Sequence, residues 1–391
     1  MSRILVLALF FLAVFLRSGT YGLTFMLPKL FAEFGANEKD VGAMLAITTI
    51  ITLLTVYYSG HFSDHLGRMR TLGMSGYAIM ISLGLYSIAE NVGLILIAAS
   101  IFLGFGWGLM YTLGPVVLTR ITNAENRVRL FSMFSVFLMA GFGLAPVFAS
   151  FLGAFGYGVR DAFWIVALFC GISGSIFLFL RGPIAAIATT NAPDNKSSLS
   201  LAAVGIVLRS RGWLPIAMVF LGASVFAGLN NFQTVFAEAE GQDYADFFLA
   251  YTVTVVICRL LFASFNTTHS PYRIIAVLQY IMAASIVLFM MIDGSRMLYI
   301  TSAILFGIGY GASYPVLSAM AANDAPDNLV PQTMQLFALI YFAAIFGFPF
   351  IAGWLIVDFS IPILLGLIAV LAAIEATMAL SRHRSDLRSQ S

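Results

Sequence analysis

The chain has 391 residues, of which 60% are hydrophobic and 10% charged, and its formal net charge is +2. Soluble domains carry about 25% charged residues, and a fold of this length has no interior able to hide so much apolar surface, so lipid is the expected solvent. Near-neutral charge gives no footprint for nucleic acid. The two cysteines, Cys170 and Cys258, stand in apolar runs without metal-ligand spacing, so no metal, cofactor or disulfide is expected.

Apolar runs of about 20 residues are read as membrane helices, because roughly 30 Å of hydrocarbon is crossed at 1.5 Å per residue. The first run, 4–30, resembles a signal peptide at its start, but no small-x-small site follows and the apolar run resumes to Leu30. It is read as the first span. Runs 41–59, 71–89, 93–117, 130–154 and 161–180 complete a set of six. The polar stretch 181–212 contains TTNAPDNKSS, a linker composition. Six more runs follow at 213–236, 244–265, 273–291, 297–319, 332–356 and 361–380.

The expected fold is therefore an all-α integral membrane protein with twelve transmembrane helices. It comprises a six-helix bundle in 1–180, a linker in 181–212, and a second six-helix bundle with a short tail in 213–391. With the N-terminus in the cytoplasm, fourteen Lys and Arg fall inside and four outside, so both termini are expected to be cytoplasmic.

The two halves carry matching marks. GFGWGLMY, from Gly104 to Tyr111, matches GIGYGASY, from Gly307 to Tyr314, at an offset of 203. At that offset Pro146 meets Pro349, Arg70 meets Arg273 and Asp40 meets Asp243. FAE at 31–33 meets FAE at 236–238 at an offset of 205. Paired repeats of this kind are a common build of secondary transporters. Pro146 and Pro349 each remove a backbone N–H and are expected to bend their helices.

The loop GHFSDHLGRMRTLG, from Gly60 to Gly73, concentrates charge in a chain that avoids it. Gly60, Asp64, Gly67, Arg68 and Arg70 match the pattern G-x-x-x-D-x-x-G-R-x-R and, with twelve spans and a half-way linker, resemble the major facilitator superfamily (MFS) over essentially the whole chain. YGVRDAFWIVA, from Tyr157 to Ala167, resembles that family's entry into its sixth helix. GFGLAPVFAS, from Gly141 to Ser150, is similar to a degenerate fifth-helix antiporter motif, with Ala145, Ala149 and Ser150 where Gly is usual. By register, Ser100 stands where the family's fourth helix often carries Arg.

The resemblance implies that Asp64 faces the start of the eleventh span, Asp327 to Thr333, and the basic end of the fourth, where Arg120 is the cationic partner. A carboxylate is stabilised at a helix N-terminus. Asp64, Gly67, Arg68, Arg70 and Arg120 would thus form a gate holding the cytoplasmic side shut. The plainer alternative leaves these residues solvated, orienting the chain. In the second half Thr267 and Ser270 replace Asp64 and Gly67, so such a lock would be one-sided.

Ionisable residues inside a span are functional candidates, since their burial costs at least a few kcal/mol. Arg17 follows about thirteen apolar residues, or about 20 Å of helix. Arg259 lies deep in the eighth span, near enough to the inner side to snorkel. Their repeat counterparts are Gly222 and Val56. The acidic residues fall at helix ends or in loops, except Glu375 in the last span, so no mid-membrane carboxylate is placed to neutralise either Arg. Two such guanidinium forks suit an anionic ligand. The alternative is that each Arg bonds to helix carbonyls, hydroxyls or Asn side chains and shapes the fold. Tyr21, Asn230, Asn231, Gln233, Tyr314 and Tyr341 are the polar residues expected beside them, the amide cluster in the seventh span foremost.

The leading expectation is a secondary transporter moving a small organic solute with a carboxylate-type anionic group by alternating access, with export favoured. The alternatives are proton-coupled efflux of neutral or cationic amphipaths and a non-transporting solute sensor. An enzyme is not expected, because all four His lie in loops or the tail and the acids lie at the ends. The expected partners are the solute, the lipid bilayer, and a coupling proton or counter-transported anion. A monomer in a bacterial cytoplasmic membrane is the expected form.

Overall fold

The computed structural model describes residues 2–122, 126–187, 199–262, 271–326 and 328–388, without the side chains of 127, 128 and 262. Thr267, Ser270 and Asp327 lie outside the described residues, as does all of TTNAPDNKSS. Sixteen helices cover nearly everything described, and twelve of them are long and apolar enough to cross a membrane. Contacts divide the chain into two compact units, Met1–Asn195 and Lys196–Ser391.

The first unit holds α1 (Arg3–Thr24), α2 (Leu27–Ala32), α3 (Glu38–Leu66), α4 (Arg68–Ile88), α5 (Leu94–Arg120), α6 (Arg127–Ala154), α7 (Val159–Phe179) and α8 (Arg181–Ile187). The second holds α9 (Leu201–Arg209), α10 (Trp213–Asn231), α11 (Gln233–Ala239), α12 (Tyr244–Phe262), α13 (Pro271–Phe289), α14 (Arg296–Asn323), α15 (Val330–Asp358) and α16 (Ile361–Arg388).

Packing repeats between the units. In the first, α4 lies against α5 and α7, α3 against α5, and α1 against α6 and α7. In the second, α13 lies against α14 and α16, α12 against α14, and α10 against α15 and α16. The matched glycine motifs explain the closest of these crossings. A β-carbon on Gly104 would meet the α3 backbone at Thr48, and one on Gly106 would meet Ser75 and Ile79 of α4. On Gly307 it would meet Tyr251 and Thr254 of α12, and on Gly309 Leu278 and Met282 of α13. Alternate glycines thus clear both sides of one helix for two neighbours, as small residues do in lipid-embedded bundles.

Side chains repeat as well. Tyr21 stacks on Trp107 with ring centres 5.6 Å apart, and Phe226 stacks on Tyr310 at 4.3 Å. The Tyr77 and Ser175 hydroxyls lie 2.9 Å apart between α4 and α7, and those of Tyr280 and Thr377 lie 3.2 Å apart between α13 and α16.

Four features differ from the sequence reading. The run 4–30 is two helices, because Pro28 lacks the N–H that would carry α1 onward, and the Phe25 and Met26 amides close the turn on Gly22 and Leu23. The seventh run breaks at Phe232 in the same place of the repeat. The second span continues as α3 to Leu66, so Asp64 sits in a helical last turn rather than in a loop. Within 181–212, the segments of α8 and α9 are helical. Both Pro146 and Pro349 lie inside unbroken helices, α6 and α15.

Candidate functional site

The α3–α4 turn is a single residue. Gly67 has φ of +83° and its N–H closes α3 on the Ser63 carbonyl at 3.0 Å. Only glycine enters that conformation without a steric cost, which accounts for its place between Asp64 and Arg68. The turn brings all five gating candidates together: Asp64, Gly67, Arg68, Arg70 and Arg120 line one cleft of about 370 Å³. Arg181 of α8 lines it too, a residue the sequence reading left in the linker. One carboxylate therefore shares a cleft with four guanidinium groups, all within the first unit.

At the opposite end of that unit Arg160 pairs with Glu33 at 2.7 Å. In the second unit Arg296 pairs with Asp246 at 2.7 Å, through both Nε and Nη2. Basic residues on the sparsely basic side are thus matched by local acids. Exposed pairs of this kind add little to stability, because water screens them.

Arg17 is fully buried in α1. Its Nη1 donates to the Ser75 hydroxyl of α4, and its guanidinium carbon lies 4.9 Å from the centre of the Phe177 ring of α7. Nε and Nη2 find no acceptor among the described residues. Neighbouring hydroxyls are engaged elsewhere: Ser173 donates to the Ala13 carbonyl at 2.7 Å, and Thr20 lies 3.0 Å from the Cys170 sulfur. Tyr21, one turn on, faces a different seam, against Trp107 of α5 and Phe142 of α6. Arg17 and Tyr21 therefore share a helix but not a pocket.

In the second unit the two Asn amides bond back into their own helix, and Gln233 reaches α14. Asn230 Nδ2 donates to the Phe226 carbonyl at 2.9 Å, and Asn231 Nδ2 to that of Ala227 at 3.0 Å. Gln233 donates to the Tyr299 hydroxyl at 2.7 Å. The Asn230 Oδ1 and Gln233 Oε1 atoms keep acceptor capacity free among the described residues. Arg259, in the last turn of α12, is buried within electrostatic reach of Tyr251 and Cys258.

Tyr314 and Tyr341 do come together, with ring centres 4.9 Å apart, and the Tyr341 hydroxyl lies 3.4 Å from that of Tyr310. Both line a small interior cavity with Gly222, Gln279 and Ser313. Sequence reasoning missed Gln279 and Ser75. A signal for the first existed, since Gln279 is the one amide in the apolar run of α13. Ser75 carried none, because serine is common in membrane helices. Ser100, in the family's Arg position, is buried and bonded to the Tyr86 hydroxyl at 2.8 Å.

Twelve apolar helices define a multi-pass integral membrane protein. The family model of the Major Facilitator Superfamily matches residues 9–347, and the chain belongs to that family. It is 21% identical over 221 residues to YqjV, an MFS-type transporter of Bacillus subtilis (strain 168), a match spanning 56% of this chain and 52% of YqjV. It is 22% identical over 359 residues to the transporter y4wD of Sinorhizobium fredii (strain NBRC 101917 / NGR234), covering 90% of this chain and 91% of y4wD. Crystal structures of a peptide transporter, POT, share the fold. The form in complex with sulfate has a TM-score of 0.76 at 17% identity, covering 97% of this chain and 94% of that one. A mutant of it gives 0.75 at 16% identity. The protein is a membrane transporter of the MFS type.

Proposed function

We propose that the chain is a secondary transporter for a small organic solute bearing a carboxylate-type group, working by alternating access in a bacterial cytoplasmic membrane. The observation that carries the anionic reading is Arg17, a wholly buried guanidinium with no ion pair among the described residues and with Nε and Nη2 still free to donate. A carboxylate accepts two such parallel donors. The bacterial origin of both relatives supports the choice of membrane. Outward movement rests on the similarity of Gly141 to Ser150 to the antiporter motif, with a proton or a counter-transported anion as the coupled species. Each single chain, with both termini cytoplasmic, is the proposed working unit.

A second reading has its own support. Arg17 reaches Ser75 and Phe177 within one unit, which fits a brace between α1, α4 and α7 in a transporter of neutral or cationic amphipaths. Comparison of metabolites in cells with and without the protein, followed by flux of the hits in proteoliposomes, tests both. An anionic hit that is carried supports the first reading, and a neutral or cationic one the second. A solute that binds without flux would make the protein a sensor.

A further inference from the structure

Glu375 lies in mid-helix on α16 and is fully buried, and neither of its oxygens has a hydrogen-bond partner among the described residues. The carboxyl lies directly over Gly222 of α10, so close that a β-carbon there would collide with Oε2. Gly222 in turn lines the small cavity that holds Gln279 of α13, Ser313 and Tyr314 of α14 and Tyr341 of α15. That cavity has a volume of about 10 Å³, room for one small species. Gln279 is also buried, with its Oε1 unpartnered. Glu375 thus lies against a glycine that also lines the cavity holding Gln279, and both side chains carry unfilled acceptor capacity.

Among the described residues, no cation is recorded against Glu375. Helix α10 carries no ionisable side chain. Helix α13 brings Tyr272, which donates to Asp324, the exposed Arg273, and Tyr280, which pairs with Thr377. Helix α15 brings Tyr341 and, at its last residue, Asp358. On α14, Arg296 is held by Asp246 at the far end, and Tyr299 accepts from Gln233. On α16 itself, Arg382 pairs with Asp386 at 3.3 Å. A bare carboxylate is not sustained in apolar surroundings without a positive partner. The first unit shows the reverse charge: the repeat counterpart of Gly222 is Arg17, a buried cation.

We propose that Glu375, together with Gln279 Oε1, binds a monovalent cation, a proton or a sodium ion, inside the second unit. A proton would sit on one carboxylate oxygen and donate to the amide oxygen. A sodium ion would be held by the same hard oxygens, with hydroxyls lining the cavity completing its shell. The use of this site to drive the solute rests on the transporter reading; the binding itself does not.

The test is infrared spectroscopy of the purified full-length protein in lipid, with pH varied and with sodium exchanged for choline. For a proton, the wild type shows a buried acid C=O stretch that Glu375→Gln removes and Gln279→Leu displaces. For sodium, adding the ion in place of choline alters the carboxylate bands of the wild type and leaves Glu375→Gln unchanged. Identical carboxyl regions in wild type and Glu375→Gln, with no sodium response, would overturn the proposal. Should Glu375→Gln not fold, Gln279→Leu decides: a displaced band or a lost sodium response supports the site, and an unmoved spectrum rejects it. Absent solute flux with the carboxyl signal intact would count against the transporter reading alone, and the converse against this site alone.

Discussion

The guanidinium of Arg17 lies over the ring of Phe177, its carbon 4.9 Å from the ring centre, while one of its nitrogens donates to Ser75. One face of the cation is thus occupied by its own bundle and two donor directions are left over. A charged hydrogen bond to a ligand is worth roughly 1.5–3 kcal/mol, so Arg17→Gln is expected to weaken binding of an anionic solute about ten- to a hundred-fold. Arg17→Lys keeps the charge and loses the fork, so an intermediate loss is expected. Affinities for the solute and its uncharged amide analogue, measured in each variant, check this. Equal losses for both analogues would leave only the bracing role.

Asp64 shares its cleft with Arg68, Arg70, Arg120 and Arg181. Asp64→Asn keeps the size and removes the charge. Folding and membrane insertion should be unaffected, while flux should fall and cysteines placed on the side of the α3–α4 turn should become more reactive. Unchanged flux and unchanged labelling would take Asp64 out of the gate.

Gly67 holds φ of +83° in the one-residue turn. Gly67→Ala and Gly67→Asn are each expected to cost roughly 1–3 kcal/mol, because φ of +83° with ψ of 140° lies outside the left-handed helical region that Asn tolerates. Thermal unfolding of the solubilised protein measures both. An alanine variant as stable as wild type would mean that the turn relaxes.

Gly309 has the Leu278 backbone and the Met282 side chain where a β-carbon would go, whereas Gly153 has open space around it. Gly309→Val should therefore destabilise the second unit by roughly 1–3 kcal/mol and lower folded yield, while Gly153→Val should change packing little. Fluorescence-detected size exclusion of the two variants separates these outcomes.

Much of the architecture was legible because lipid leaves the backbone few choices. Every N–H must be satisfied within its own segment, so a long apolar run is a helix and its length is a count of spans. The repeat was legible for a related reason: glycines at 104, 106, 307 and 309 leave a visible spacing wherever helices cross closely. The charged cluster in the cleft was legible because charge is scarce, and the loop motif put Asp64, Arg68 and Arg70 within one turn of a glycine that the backbone requires. Arg181 was not, since its place in that cleft depends on how α7 and α8 pack within the bundle, which composition does not encode.

The sequence by itself determined the solvent, the twelve spans, the two-fold repeat and the presence of ionisable residues within spans at Arg17, Arg259 and Glu375. Those follow from hydrophobicity and from local spacing. Only the tertiary structure decided what each charge meets. Arg17 turns to Ser75 and Phe177 rather than toward Tyr21. The Asn230 and Asn231 amides donate back to carbonyls of their own helix, and Glu375 lies over a glycine, its oxygens without a hydrogen-bond partner among the described residues. The reason is geometric. Residues four apart share a helix face, but which seam that face enters is set by the packing of neighbouring helices, a property of contacts distant in sequence.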